Sequence, residues 1–318
     1  MQSGPRKRRP KKPKLLPKLF KEIRVVFKSG YVAIIGKPNV GKSTLINAIL
    51  GERLSIVTHK AQTTRHKITG ILNSDDAQIV FLDTPGYHVS KKSLNQAMNE
   101  VVDMVINDAD VICLMLSADE KDEDIEKELY DRINKANVLV VINKADLVDK
   151  SSFADIARRY KDQWNVSELV FLSAKRKEGV SELVDMIKER LPEGPAYFPD
   201  DLYTNHSVRF MVSELIREEV FLQLRQEVPY STAIVIEEFK EAESEGAVTK
   251  IHATIMVEKD SQKSVVIGKG GQQIKSIGKK AREKIEELVG TRVYLELFVR
   301  VQKDWSRDMH KVREFLGS

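Results

Sequence analysis

The sequence predicts two successive folding units: an α/β domain with a mixed, mostly parallel sheet, then a smaller α+β domain. Three observations carry this. The run Gly36-Lys37-Pro38-Asn39-Val40-Gly41-Lys42-Ser43 satisfies G-x-x-x-x-G-K-[ST] between an apolar segment, Tyr31 to Ile35, and a helical stretch, Thr44 to Leu50. The apolar runs Gln78 to Leu82, Asn137 to Ile142 and Leu169 to Leu172 each end in a polar cluster, as buried parallel strands do. Beyond residue 205 the expected order becomes α-β-β-α-α-β. The division is a basic extension over 1–28, a first domain over 29–191, a linker over 192–205 and a second domain over 206–318.

At 318 residues and 42% apolar content the chain is long enough to bury a substantial core in about two domains. No apolar run approaches the roughly 20 residues that span a bilayer. A single cysteine, Cys113, sits in the apolar run Val111 to Leu116, which excludes an intrachain disulfide framework and a cysteine-based zinc site. The six histidines have no metal-ligand spacing. Charge is uneven: residues 1–28 hold eleven Lys or Arg and one Glu, a net +10, against +5 for the whole chain, so the remainder carries −5. Nucleic-acid affinity is therefore expected of the tail and of local patches, not of the whole surface.

The first element is a phosphate cradle. Successive backbone N–H groups wrap a phosphate, glycines at Gly36 and Gly41 allow close approach, and the helix that follows adds its positive end. Lys42 is expected to reach the β and γ phosphates and Ser43 to bind Mg²⁺, with Thr44 beginning the helix proper. Next comes Asp83-Thr84-Pro85-Gly86, where Asp83 is expected to hold Mg²⁺ through water and the Gly86 N–H to touch a γ-phosphate. The base is read further on. In Asn143-Lys144-Ala145-Asp146 the Asp146 carboxylate can accept from both the ring N–H and the amine of guanine, a donor pair adenine lacks, and Asn143 can bond the other edge. Ser173-Ala174-Lys175 then offers backbone N–H groups to the guanine oxygen.

With these runs in order, Gly36 to Asn47, Lys60-Ala61-Gln62-Thr63-Thr64-Arg65-His66, Asp83 to Gly86, Asn143 to Asp146 and Ser173 to Lys175, the chain resembles the translation-factor-related GTPases and, within them, the Era family. The resemblance covers nearly everything from residue 31 onward, and Gln62 to His66 is its most family-specific part. It implies a GTPase in which Thr64, or less readily Thr63, is the Mg²⁺-binding threonine of the first switch, so that Lys42, Ser43, Thr64 and Gly86 serve catalysis. It also implies that Asn39 helps bind a potassium ion beside the phosphates. One departure from Ras-like enzymes is Tyr87, which stands where a water-orienting Gln would sit, so intrinsic hydrolysis is expected to be slow.

In the second domain, Val266-Ile267-Gly268-Lys269-Gly270-Gly271 is a G-x-x-G loop between two helices. Within the α-β-β-α-α-β order the segment resembles a type II KH domain, which implies a clamp for about four nucleotides of single-stranded RNA. Gly268, Gly270 and Gly271 let the sugar-phosphate chain lie close, Lys269 adds charge, and Lys275 and Lys279 follow on the next helix. The family resemblance implies the 3′ end of 16S ribosomal RNA and the small (30S) ribosomal subunit as partners. Trp305 to Leu316 reads as a last helix.

Residues 1–28 depart from the family, whose chains usually begin near the first strand. Gly4 to Lys14 is too rich in Lys, Arg and Pro to form a core, and Leu16, Leu19, Phe20, Ile23, Val26 and Phe27 recur at helical spacing beyond it, compatible with a short basic amphipathic helix despite Pro17. RNA contact by counterion release fits the tail best, an anionic membrane surface next, and an organelle transit segment least. The expectation is a monomeric, cytoplasmic GTP switch with Mg²⁺ and K⁺ as cofactors. Its rivals are a GTPase held peripherally at the inner membrane face by the tail and an RNA-binding module whose guanine nucleotide is structural.

Overall fold

Strand β1 (Lys28–Gly36) alternates Val32 and Ile34 toward one helical layer with Ala33 and Ile35 toward the other, so it is buried on both faces. It pairs in parallel with β3 (Ala77–Asp83) on one side and β4 (Val111–Ser117) on the other. Parallel strands β5 (Val138–Asn143) and β6 (Leu169–Phe171) extend the sheet, and β2 (Ile68–Asn73) closes the far edge antiparallel to β3. The order is β2-β3-β1-β4-β5-β6, the expected mixed, mostly parallel sheet. The chain was built as a computed structural model, which describes residues 26–316 apart from 53, 59, 61–62, 88–92, 121–122, 134–136, 165, 167 and 245. The expected tail helix lies outside the described residues except for Val26 and Phe27, which are not helical, and Ala61 and Gln62 of the expected first switch lie outside them as well.

Two layers of helices cover the sheet. Helices α1 (Lys42–Leu50) and α5 (Val180–Arg190) bury Leu45, Ile46, Leu183 and Ile187 on one face. Helices α2 (Ser93–Asp108), α3 (Glu123–Arg132) and α4 (Phe153–Trp164) bury Val102, Val105, Leu129 and Tyr160 on the other. Because β1, β3, β4, β5 and β6 are parallel, the loops after them leave one edge of the sheet, where such folds bind ligands.

Residues 192–205 are laid along the first domain. The Gln78 amide oxygen accepts from the Tyr197 and Phe198 N–H groups at 2.6 and 2.9 Å, Ile71 N–H donates to Tyr203 O, and Thr204 Oγ1 donates to Thr69 O at 2.7 Å. The segment thus occupies the open edge of β2, satisfying backbone groups that an edge strand would otherwise expose.

The second domain has the expected α-β-β-α-α-β order: α6 (Val208–Gln223), β7 (Ala233–Lys240), β8 (Val248–Val257), α7 (Asp260–Ile267), α8 (Gln272–Val289) and β9 (Arg292–Val301). β8 is central, antiparallel to β7 and parallel to β9. Ser207 caps α6 by accepting from the Phe210 N–H, and α8 buries Ile277, Ala281 and Ile285 while Lys275, Lys279, Lys280 and Arg282 stay exposed.

The single terminal helix expected over Trp305 to Leu316 is instead a 3₁₀ turn, Trp305–Arg307, and α9 (Met309–Leu316). Asp308 breaks it: its backbone is extended and its carboxylate accepts from the His310 N–H at 3.0 Å, an N-cap arrangement. Trp305 and Val312 pack with Leu94 and Ala97 of α2, so this end of the chain is core shared between the domains.

Cys113 is fully buried on β4, and burial pushes its thiol up to about 12. It should therefore be unreactive toward a thiol reagent in mildly alkaline native buffer and react only on unfolding, which a chromogenic disulfide assay with and without denaturant measures.

Candidate functional site: a phosphate cradle joined to the second domain

The loop between β1 and α1 has the backbone the motif requires. Asn39 and Gly41 have positive φ, and a Cβ on Gly41 would sit 2.2 Å from the Asn143 amide nitrogen. The buried Lys42 ammonium donates to the carbonyls of Gly36 and Lys37 at 3.1 and 2.9 Å. Burial pulls it down to about 8, opposed by the Asp83 charge. Lys42 is thus still cationic near neutral pH, and it lies in the cradle beside Asn39, Ser43 and Thr44, which line a cavity of about 50 Å³.

Three oxygens converge beside it. Ser43 Oγ donates to Asp83 Oδ2 at 2.7 Å and lies 2.9 Å from Thr64 Oγ1. Asp83 is fully buried, and its Oδ1 has no hydrogen-bond partner. Burial raises the Asp83 carboxyl above its ordinary value, while Lys42 and Ser43 oppose the shift. An orphaned carboxylate oxygen beside two hydroxyls is a hard donor set that fits Mg²⁺. Thr63 points elsewhere: its Oγ1 bonds Thr58 Oγ1 and the Lys60 carbonyl, both at 2.7 Å.

The loop after β3 rests on the cradle. Thr84 Oγ1 donates to Ile34 O at 2.8 Å, the Tyr87 N–H donates to Gly36 O, and Gly86 lies so close to Pro38 that a Cβ would meet its backbone at 2.7 Å. Pro85 bridges those two anchors in sequence. The Tyr87 ring is buried, with its hydroxyl donating to Glu128 Oε1 of α3 at 2.6 Å and Arg132 stacked over its face. It faces α3, so it takes no water-orienting position.

The Asn143 amide welds three loops, donating to Val40 O at 2.7 Å and accepting from the Ala174 N–H at 2.9 Å. Hydrogen bonding from Ser173 holds the Asp146 carboxyl below its ordinary value despite some burial, with Arg176 contributing, so it remains ionised. Lys144 pairs with Asp119 at 3.3 Å, and Lys175 is exposed. Val40 belongs to both sets through its carbonyl.

The loop carrying Lys60 and Thr63 to His66 is also bonded to the second domain, a contact that no local pattern in the sequence announces. The fully buried Arg65 guanidinium donates to the carbonyls of Pro229, Tyr230 and Thr232, the first two at 3.0 and 2.9 Å. Arg217 of α6 donates to Thr63 O and pairs with Glu214, which lies 3.4 Å from His66. Lys60 donates to the Phe221 and Leu224 carbonyls at the end of α6.

The G-x-x-G loop joins α7 to α8. Gly268, Gly270 and Gly271 all have positive φ. A Cβ on Gly268 would strike Gln273, whereas those on Gly270 and Gly271 would meet nothing within 4 Å, leaving that face free for a ligand backbone. Lys269, Lys275 and Lys279 are exposed around it.

Residues 31–144 match the family described as 50S ribosome-binding GTPase, and residues 227–306 match the KH domain. The chain is 48% identical over 290 residues to the GTPase Era of Geobacter metallireducens, covering 91% of this chain and 97% of the relative. The chain belongs to the Era GTPase family. It hydrolyses GTP to GDP and phosphate. The Era of Syntrophus aciditrophicus is 44% identical over 293 residues, covering 92% and 95% of the two chains. Among solved structures, an Aquifex aeolicus Era variant bound to GDP and aluminium fluoride superposes with a TM-score of 0.86 at 40% identity, covering 91% of this chain and 99% of that one. An Era in complex with MgGDPNP and nucleotides 1506–1542 of 16S ribosomal RNA gives 0.87 at 41% identity, covering 91% and 98%.

Because Gly86 has no space for a side chain against Pro38, Gly86→Ala should lift the loop off the cradle. Titration with fluorescent nucleotides is expected to give an affinity for a GTP analogue about tenfold weaker, with GDP changed by less than about threefold.

Proposed function

We propose that this chain is a nucleotide-controlled RNA clamp acting on the 3′ end of 16S ribosomal RNA during assembly of the small ribosomal subunit. The observation that carries the reading is the open, positively flanked Gly268–Gly271 loop, in a chain 41% identical to an Era held in complex with that RNA segment. In this reading Mg²⁺ is held by Ser43, Thr64 and, through water, Asp83, and supplies charge stabilisation to the phosphates. Lys42 neutralises the β and γ phosphates, the Gly86 N–H meets the γ-phosphate, and Asn143, Asp146 and the Ser173–Lys175 loop select guanine. The adjacent Thr64 and Arg65 support coupling: a segment that closes on the phosphates through one residue is bonded to the second domain through the next.

Two finer features belong to the proposal. Asn39, with its left-handed backbone beside the cradle cavity, contributes to a potassium site that offsets transition-state charge. The basic tail supplements RNA affinity electrostatically, and the protein works as a cytoplasmic monomer. The net charge of +10 over residues 1–28 also favours an anionic membrane surface, so vesicle binding with and without that segment separates the two uses.

Titrating a short single-stranded RNA of the 16S 3′ sequence against the GDP-bound and GTP-analogue-bound protein is expected to give tighter binding in the analogue state. Gly270→Asp should abolish binding in both states, because it sets bulk and negative charge against the sugar-phosphate chain. Arg65→Ala should bring the two affinities together while guanine nucleotide still binds; an undiminished difference would refute coupling through the first switch. Hydrolysis should run faster in potassium than in sodium buffer, and Asn39→Ala should erase that difference.

A further inference from the structure

The last turn of α6 ends in a contact supplied by the other domain. The final carbonyls of a helix have no N–H of their own helix to accept from, and they carry the negative end of its dipole. Leu224 ends α6, and the Phe221 and Leu224 carbonyls accept from the Lys60 ammonium, so the helix is capped by a residue 161 and 164 positions earlier in the chain. Burial and the neighbouring Arg225 both pull that ammonium below its ordinary value, so the field of the carbonyls holds it there against a like charge. Phe221 is fully buried, and the Arg65 guanidinium lies over its ring at 5.3 Å. Lys60 also lines the cradle cavity together with Ser43, Thr63 and Thr64. One residue thus borders the nucleotide site and closes a helix of the second domain.

On its other side the same turn supports the G-x-x-G loop. Val220 and Leu224 of α6 share one apolar cluster with Val266 of α7 and Ile277 of α8, the two helices that the loop joins. Gln223 Oε1 accepts from Gln273 Nε2 at 3.2 Å, and Gln223 Nε2 donates to Glu219 Oε2 at 2.8 Å. Gly268 rests on Gln273, since a Cβ there would lie 2.6 Å from that of Gln273. We propose that Lys60 is a positioning residue of the RNA site: by capping α6 from the first domain it fixes the last turn of that helix, and the turn fixes the 268–271 loop through Gln223, Gln273 and the cluster beneath them. The proposal rests on the RNA-clamp reading for its ligand, whereas the cap itself does not. Removing the ammonium strips two carbonyls on buried residues of their donor, so the turn frays. Gln223 and Leu224 move with it. A rearrangement at the cradle that displaces Lys60 has the same effect, which gives nucleotide state a route to the loop separate from the one through Arg65 to residues 229–232.

Hydrogen exchange at the backbone amides of the full chain, with GDP bound and no RNA, tests the cap. Lys60→Met keeps the stem and removes the charge, whereas Lys60→Arg keeps the charge. In Lys60→Met, exchange is expected to rise about tenfold over residues 221–225 and about threefold at the Gly268 and Gly271 amides, which bond the Ser264 and Gly268 carbonyls, with β8 unchanged. Lys60→Arg should return both segments to within about twofold of wild type. No rise, a rise confined to 221–225, or one spread over the whole second domain with a lowered melting temperature would overturn the proposal. Should Lys60→Met fail to fold, Gln223→Ala carries the test: it cuts the link on the RNA side and should raise exchange at Gly268 and Gly271 about threefold, and unchanged exchange there would equally overturn the proposal. RNA titration separates the two readings. Wild-type protein that binds no single-stranded RNA of the 16S 3′ sequence refutes the clamp, while the exchange result still decides the cap. Where RNA binds, Lys60→Met should weaken it about fivefold, and Lys60→Met with Gln273→Ala should weaken it by less than the product of the single effects; independent effects would overturn the proposal.

Discussion

The arrangement depends on adjacency: Thr64 and Arg65 share one peptide bond, whose fixed dimensions let neither residue move far without the other. Thr64 points inward to Ser43 and Asp83, while Arg65, one residue on, is buried among carbonyls of residues 229–232. Neither placement can be kept if the other is lost without redrawing the loop. Removing a guanidinium from water costs several kcal/mol, and each hydrogen bond from a charged donor returns about 1.5–3. Three carbonyl acceptors bring the sum near balance. A contact of that kind does not lock two domains together. It holds only while the loop is held in register from its other side, which is what coupling to a nucleotide requires.

The second contact between the domains is of a different kind. Trp305 and Val312 pack on Leu94 and Ala97 with little polar cost, and the Trp305 indole N–H finds the Ser231 carbonyl at 3.1 Å. Burial of a tryptophan is non-directional and insensitive to a small shift in the loop. Residues 192–205 add a third restraint by pairing along β2, so the chain between the domains is no slack tether. A conditional cluster of polar contacts around Lys60 to His66, beside the two more robust restraints, gives the interface a defined place at which it can yield.

How much of this could be read beforehand divides by sequence distance. The cradle, Asp83 to Gly86, Asn143 to Asp146 and the G-x-x-G loop were legible because each motif is local and each sits at a strand end or helix start that the apolar pattern announces. Thr64 was preferred over Thr63 by resemblance, and the two hydroxyls do point to different partners. Arg65 was legible only as part of a family-specific run, since its acceptors lie 164 to 167 residues away. The terminal helix was drawn too long because hydrophobic spacing continues through Asp308, whereas that carboxylate caps the next turn and breaks the helix. The approach of Glu126 on α3 to the Lys37 ammonium at 3.4 Å was invisible for a subtler reason: a glutamate in a charged stretch reads as a solvated face until a buried lysine is found beneath it.

That last point bears on how α3 earns its place. It is rich in charge, and as an isolated helix it would be expected to present most of that charge to water. Two of its glutamates instead meet groups of the site: Glu126 lies against Lys37 of the cradle, and Glu128 accepts from Tyr87, the residue after Gly86. Positions two apart do not share a helix face, so the pair reaches two targets lying at different angles around α3. The cradle and the loop after β3 are thereby referred to one rigid element, itself fixed to α4 through Tyr130, Trp164 and Tyr160. Tyr87 then has a reason to be tyrosine: a glutamine's shorter amide would not carry a hydroxyl to Glu128 or a ring beneath Arg132. The Tyr87 ring and hydroxyl thus act as a strut, so the position of the loop after β3 is set by the packing of α3.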